Sequence, residues 1–158
     1  MLYSITNMDT LYKITKEWKE DAKINTSQYE ELYKQSVDNN ENFWSKQAKR
    51  ISWQKPFTKI KDIKFGKKET NIKWFYDGTL NVSYNCIDRH AKTNPEKTAI
   101  IWESDDPNIS KNISYKELLE NVSKTANVLK KIGVKKGDRV TIYLTMIPEL
   151  AYFMLACS

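Results

Sequence analysis

The chain has 158 residues, 40% of them apolar, 29% charged and 12% aromatic, with a net charge of +6. These are globular proportions, which exclude wholesale disorder and predict one domain with its own core, or a small domain and an arm. The excess charge is lysine scattered among Asn and Ile, without a dense basic block, which argues for a solvated surface and against a nucleic-acid partner.

In chain order, residues 1–25 are polar and weakly patterned, and are expected to form a weakly ordered arm. They lack the basic stretch, apolar core and small-residue cleavage site of a secretory leader. No run approaches the roughly 18 apolar residues of a membrane span, so no membrane association is expected and a cytoplasmic setting is.

Residues 26–82 form the next block. "NTSQYEELYKQSVDNNENFWSKQAKRI" predicts two helices with a short break. Ser27 is placed to cap the first, with Glu30 three residues on to answer its amide. Tyr29, Leu32 and Tyr33 then share a face. Asp38 and Glu41 stand in the same relation for the second helix, whose apolar side carries Phe43, Trp44 and Ala48. Trp53 and Pro56 close this part, since proline cannot continue a helix interior. The alternation of Ile60, Ile63 and Phe65, then Ile72, Trp74 and Tyr76, predicts extended structure, with a turn at Asp77-Gly78.

Residues 83–158 form the last block. Asn81 or Ser83 opens a helix holding Val82, Cys86, Ile87 and His90, which ends before Pro95 because the residue ahead of a proline is pushed out of helical space. "TAIIWE", Thr98 to Glu103, is short and β-branched and predicts a buried strand. "SDDPNISKN" is turn chemistry, and Ile113 marks a short second strand. Ser114 and Glu117 make a capping box ahead of a long helix whose apolar stripe runs through Leu118, Val122, Ala126 and Leu129. Gly133 is positioned to end it, behind Lys130 and Lys131 at the negative end of the helix dipole. A turn at Gly137-Asp138 then leads to a predicted strand from Arg139 to Leu144 and a final helix opened by Pro148. That order, strand, helix, strand, helix, predicts a right-handed crossover and a parallel pair. The final helix is apolar nearly all round, and a lone parallel pair is normally covered on both faces. The residues therefore read as an incomplete α/β domain.

Several strings in register resemble one family: "WFYDGTLN", "NCIDRH", "IWESDDP" and "GVKKGDRV". Together with "YEELYKQSVDNNENFW" they are similar to the N-terminal part of the acetyl-coenzyme A synthetases, within the adenylate-forming acyl-CoA ligases, over residue 22 to the end. The resemblance implies an α/β fold. It places an N-terminal helical and extended lead-in segment ahead of the first strand-helix-strand-helix part of a truncated adenylate-forming domain. It also implies, for the full-length family, ligation of acetate to CoA through acetyl-adenylate, with ATP, Mg²⁺ and CoA. The family's phosphate loop is rich in Gly, Ser and Thr, because bare backbone amides must approach the phosphates. Here the chain has 4 Gly (Gly66, Gly78, Gly133 and Gly137), with no such cluster around any of them. The family's adenine and ribose motifs and its catalytic lysine are also absent. Hence no catalytic, cofactor-binding or metal-binding residue is assigned, and no cofactor is expected for this chain alone. The expected partner is the missing remainder of the synthetase, as a second chain, or an intact synthetase subunit. A non-catalytic interaction module is the reading from another class.

Five features have a sharper reading to weigh against a structural one. His90 beside Asp88 and Arg89 suggests acid–base work, and Cys86 and Cys157 suggest nucleophiles. Trp74 and Phe75 suggest stacking on a ligand, and Glu103, Asp105 and Asp106 a cation. The "KKGDR" run is the fifth. The expectation for each is structural: a helical string, buried inert thiols, aromatic packing on the remaining body, a surface turn before Pro107, and a solvated turn.

Overall fold

A computed structural model of the chain describes residues 12–158. The expectation of a weakly ordered arm lies outside the described residues for 1–11. Two compact units are present, residues 1–48 and 49–158.

In the first unit, α1 (Lys16–Asp21) is a short exposed helix with a Lys16–Glu20 pair at 3.6 Å on its surface. Helix α2 (Thr26–Asp38) has its cap two residues before the expected Ser27. Asn25 is the cap. Its Oδ1 accepts from the Gln28 N–H at 2.9 Å, and the Gln28 Oε1 accepts from the Asn25 N–H at 3.0 Å, a reciprocal box that Ser27 and Glu30 do not form. Tyr29 and Tyr33 stack at 6.2 Å along one face, as a separation of four residues requires. Helix α3 (Asn40–Gln47) opens at Asn39 and not at Asp38, which still belongs to α2. On it Phe43 and Trp44 meet edge to face at 5.2 Å.

The second unit begins with a 3₁₀ turn ending at Arg50, then a stretch without helix or strand to residue 60. Strands β1 (Lys61–Phe65) and β2 (Thr70–Trp74) pair antiparallel as a hairpin, Ile63 opposite Ile72. A helix runs through residues 82–93. Its middle, Tyr84–Asp88, is a π turn in which the Arg89 N–H reaches back to the Tyr84 carbonyl, and α4 (Arg89–Thr93) completes it. Asn81 opens this helix, its Oδ1 accepting from the Tyr84 N–H at 2.6 Å.

Strand β3 (Thr98–Glu103) pairs antiparallel with β4 (Ser110–Ser114), and α5 (Tyr115–Lys131) follows without a gap. Half of the expected capping box forms: Ser114 Oγ accepts from the Glu117 N–H at 3.1 Å. The Glu117 carboxylate turns instead to Lys111 Nζ at 2.7 Å, and this bond raises the lysine's pKa. At the far end Gly133 takes φ +95°, Val134 N–H reaches the Leu129 carbonyl and Gly133 N–H the Lys130 carbonyl, both at 3.0 Å. That is the full left-handed helix ending which Gly133 predicts. Helix α6 (Pro148–Ala156) begins on its proline.

The core is the cluster of Ile87, Ile113, Leu118, Val122 and Tyr152, with Ile100 and Leu155 packed against it. Ile87 and Ile113 are fully buried. Burial also pushes the Tyr152 phenol upward in pKa.

The α/β class is as expected, but the sheet differs in one respect. Residues 139–144 form no strand, and β3 pairs antiparallel with β4, so the predicted parallel pair is absent among the described residues. A strand exists by its ladder, and this segment has no ladder partner. A side chain ties the segment's far end to β3 instead: Trp102 Nε1 donates to the Met146 carbonyl at 2.7 Å. Nor is β3 fully buried, since Ile101 is 70% exposed.

Candidate functional site

The five features named from sequence are distributed over the second unit. The D-R-H string lies where the π turn meets α4. Arg89 is turned toward the chain, its Nη1 donating to the Arg50 carbonyl and to Asn85 Oδ1, both at 3.2 Å. His90 is half-buried, with its ring 5.0 Å from that of Tyr115.

What the sequence reading passed over is Asn85. Its Oδ1 accepts from the Ser52 N–H at 2.7 Å and its Nδ2 donates to the Ser52 carbonyl at 2.9 Å. One side chain thus satisfies both backbone groups of Ser52, as a neighbouring strand would. No local pattern announces this, because the partners stand 33 residues apart.

The thiols need a correction. Cys86 and Cys157 are both free and exposed, not buried. The inward side of helix 82–93 is carried by Ile87 and Ala91, and α6 buries Tyr152, so each cysteine falls on an outward side. Neither carries a cluster of metal-ligating groups; among the described residues no group of three His, Cys, Asp or Glu gathers to hold an ion.

Phe75 packs within its own segment, 4.7 Å from the Phe57 ring and 5.5 Å from that of Trp53. Its backbone takes φ +48°, a left-handed conformation that a bulky side chain adopts only when its surroundings impose it. Gly78 lies beneath this cluster, where a Cβ would stand 2.9 Å from Phe57 Cβ and from the Trp53 ring. Asp77 closes the turn by accepting from the Thr58 hydroxyl and N–H and from the Lys59 N–H. These bonds, the hydroxyl first, hold its carboxyl down at about 2.

Asp106 behaves as a turn residue, its Oδ1 accepting from both the N–H and the Nδ2 of Asn108. The K-K-G-D turn closes on itself, with Asp138 Oδ2 accepting from the Lys135 N–H at 2.8 Å and Gly137 at φ +97°.

The glycines decide whether nucleotide phosphates have a cradle here. Gly133 ends α5, Gly137 completes a turn, and Gly78 is pressed against Trp53 and Phe57. Gly66 sits in the hairpin connection, where a Cβ would meet the Glu69 carbonyl at 3.0 Å. Each serves local geometry and none lies in a run of free amides, so the residues present do not fit a triphosphate and its metal.

An open cleft of about 800 Å³ lies in the second unit. Gln54 and residues 78–81 line it, as do the end of α5, residues 134–138, Val140, Ile142 and residues 156–158. Leu129, Val134 and Ile142 make it apolar, with Lys130, Lys135 and Lys136 at the rim. No helix among the described residues is long and apolar enough to cross a membrane.

Two family models match the chain. Residues 29–86 match the family model for the acetyl-coenzyme A synthetase N-terminus, and residues 87–158 match that for AMP-binding enzyme. An acetyl-coenzyme A synthetase of Methylocella silvestris is 53% identical over 150 residues, which is 95% of this chain and 23% of the relative. The same-named protein of Brucella canis is 57% identical over the same shares. Among solved structures, an acetoacetyl-CoA synthetase from Streptomyces lividans matches with a TM-score of 0.68 at 28% identity, covering 81% of this chain and 19% of that one. The chain thus spans about a quarter of the length of the curated relatives it matches.

Proposed function

We propose that the chain, whose residues match the acetyl-coenzyme A synthetase N-terminus followed by the start of an AMP-binding enzyme region, is the N-terminal portion of an acetate–CoA ligase. In this reading the whole protein joins acetate to CoA with ATP, through acetyl-adenylate, in the cytoplasm. The present residues contribute framework and not chemistry. The observation that carries this is the fate of the glycines: all four are committed to turns and close packing, so no phosphate cradle is left. Without bare amides aimed at the phosphates, the transferring group has nothing to hold it. The partner in this reading is the remainder of the synthetase, in the same polypeptide or as a second chain, or else an intact synthetase subunit. Neither nucleic acid nor membrane takes part.

Acetate-dependent ATP–pyrophosphate exchange tests the proposal. The 158-residue chain alone is expected to give none. Supplied with the remaining three-quarters of a synthetase, the mixture is expected to exchange label, with acetate preferred over longer acids. Exchange by the chain alone would overturn the assignment of its residues to framework. A well-folded mixture that never exchanges would overturn the synthetase reading itself.

A further inference from the structure

Residues 51–60 contain no helix or strand, and none of them belongs to the buried core. They are nonetheless fastened at every step. Asn85 takes both backbone groups of Ser52, and Arg89 takes the carbonyl of Arg50. Lys55 and Thr79 exchange two backbone bonds at 3.0 and 3.1 Å, and Gln54 N–H adds a third to Thr79 at 2.8 Å. Thr58 and Lys59 bind Asp77, and Trp53 and Phe57 close over Gly78. Almost every one of these attachments is polar or aromatic and partly exposed, and the closed arrangement carries the left-handed Phe75. Segments with few buried apolar contacts and exposed backbone bonds occupy the low-stability end of a fold.

We infer that residues 51–60 are a strap that releases from the second unit in one step, with Asn85 as its latch, and that release removes part of the cleft's lining. Gln54 belongs to the strap itself, Thr79 is bonded to it and Gly78 lies against Trp53 and Phe57, and all three line the cleft. The π turn serves the latch. It brings the side chains of Asn85 and Arg89 to bear on the same stretch of backbone, and such turns recur where a helix performs more than packing. Strap release does not depend on the ligase reading; a chain with no part in acetate ligation would show it equally.

Hydrogen exchange followed by mass spectrometry on the full chain tests this. In the unsubstituted chain, the amides of Ser52, Gln54, Lys55 and Thr79 are expected to exchange together, well ahead of those of α5 and β3. In Asn85→Ala they are expected to exchange roughly tenfold faster still, the loss of about two hydrogen bonds, while α5 and β3 are unchanged. Arg89→Met is expected to produce a smaller shift in the same peptides. If Asn85→Ala fails to fold, the unsubstituted chain still decides. Strap amides protected as strongly as those of α5, or α5 amides as open as those of the strap, would overturn the inference. So would an Asn85→Ala chain whose exchange rises equally everywhere or nowhere.

Discussion

Residues 51–80 and residues 82–156 share one compact unit but are stabilised by different means. The later region buries Ile87, Ile113, Leu118, Val122 and Tyr152 in a single aliphatic cluster. The earlier region buries no side chain fully. It relies on Asn85, Asp77, the Lys55–Thr79 bridge and aromatic edges. The lesson is one of cooperativity. Burial is shared among many neighbours, so its loss spreads; a hydrogen bond on a partly exposed segment has two partners, so its loss stays local.

The largest expected effect follows from the buried side. Ile87 is fully buried and touches the inner faces of several elements. Ile87→Ala removes that volume at a cost of about 2–5 kcal/mol. Against a total stability of about 5–15 kcal/mol, in a unit with so small a core, the substitution is expected to abolish the cooperative urea transition. A melt displaced only slightly would mean that the aliphatic cluster does not hold the fold, and the contrast between the two regions would fail.

Gly78→Ala comes next and attacks the other side. Its Cβ would stand 2.9 Å from both Phe57 Cβ and the Trp53 ring, and neither position can yield without moving Phe75. Overpacking of this kind costs about 1–3 kcal/mol. The near-ultraviolet aromatic signal is expected to weaken while the far-ultraviolet signal of α5 persists. Both signals collapsing together would merge the two regions into one cooperative block.

The same contrast explains which features could be read from the sequence. Helix α5 was legible from end to end, because Ser114, the stripe through Leu118 and Val122, and Gly133 all act within a turn or two of where they stand. The end of the 82–93 helix before Pro95 was legible for the same reason, and its opening was narrowed to Asn81 or Ser83, of which Asn81 is the cap. The α2 cap was misplaced by two residues because Asn25–Gln28 and Ser27–Glu30 are near-equivalent boxes, and only one can form. The predicted parallel pair was a misreading. Residues 139–144 have the composition of a strand, but a strand needs a neighbour, and β3 already spends one edge on β4. The exposure of Cys86 and Cys157 was misjudged because an apolar run does not tell which side of a helix faces inward. The latch on Ser52 depends on a pairing across 33 residues that no local pattern carries.

The smallest effect is also the most selective, and it concerns Asp77. The Thr58 hydroxyl, then the Lys59 and Thr58 amides, hold its carboxyl at about 2, against an ordinary 3.8. Because the folded value is the lower one, the unfolded chain binds the proton more readily, and acid favours release. The contribution of Asp77 is therefore complete above about pH 4 and is lost as the pH falls through 2. Over that window the exchange of the Thr58 and Lys59 amides is expected to rise, after correction for intrinsic rates, before that of α5. In Asp77→Asn the same amides are expected to be less protected at neutral pH, and their protection should no longer change between pH 4 and pH 2. If the asparagine variant still loses protection over that window, the acid response belongs to some other carboxylate. Asp77 would then be a turn residue without a part in fastening residues 58 and 59.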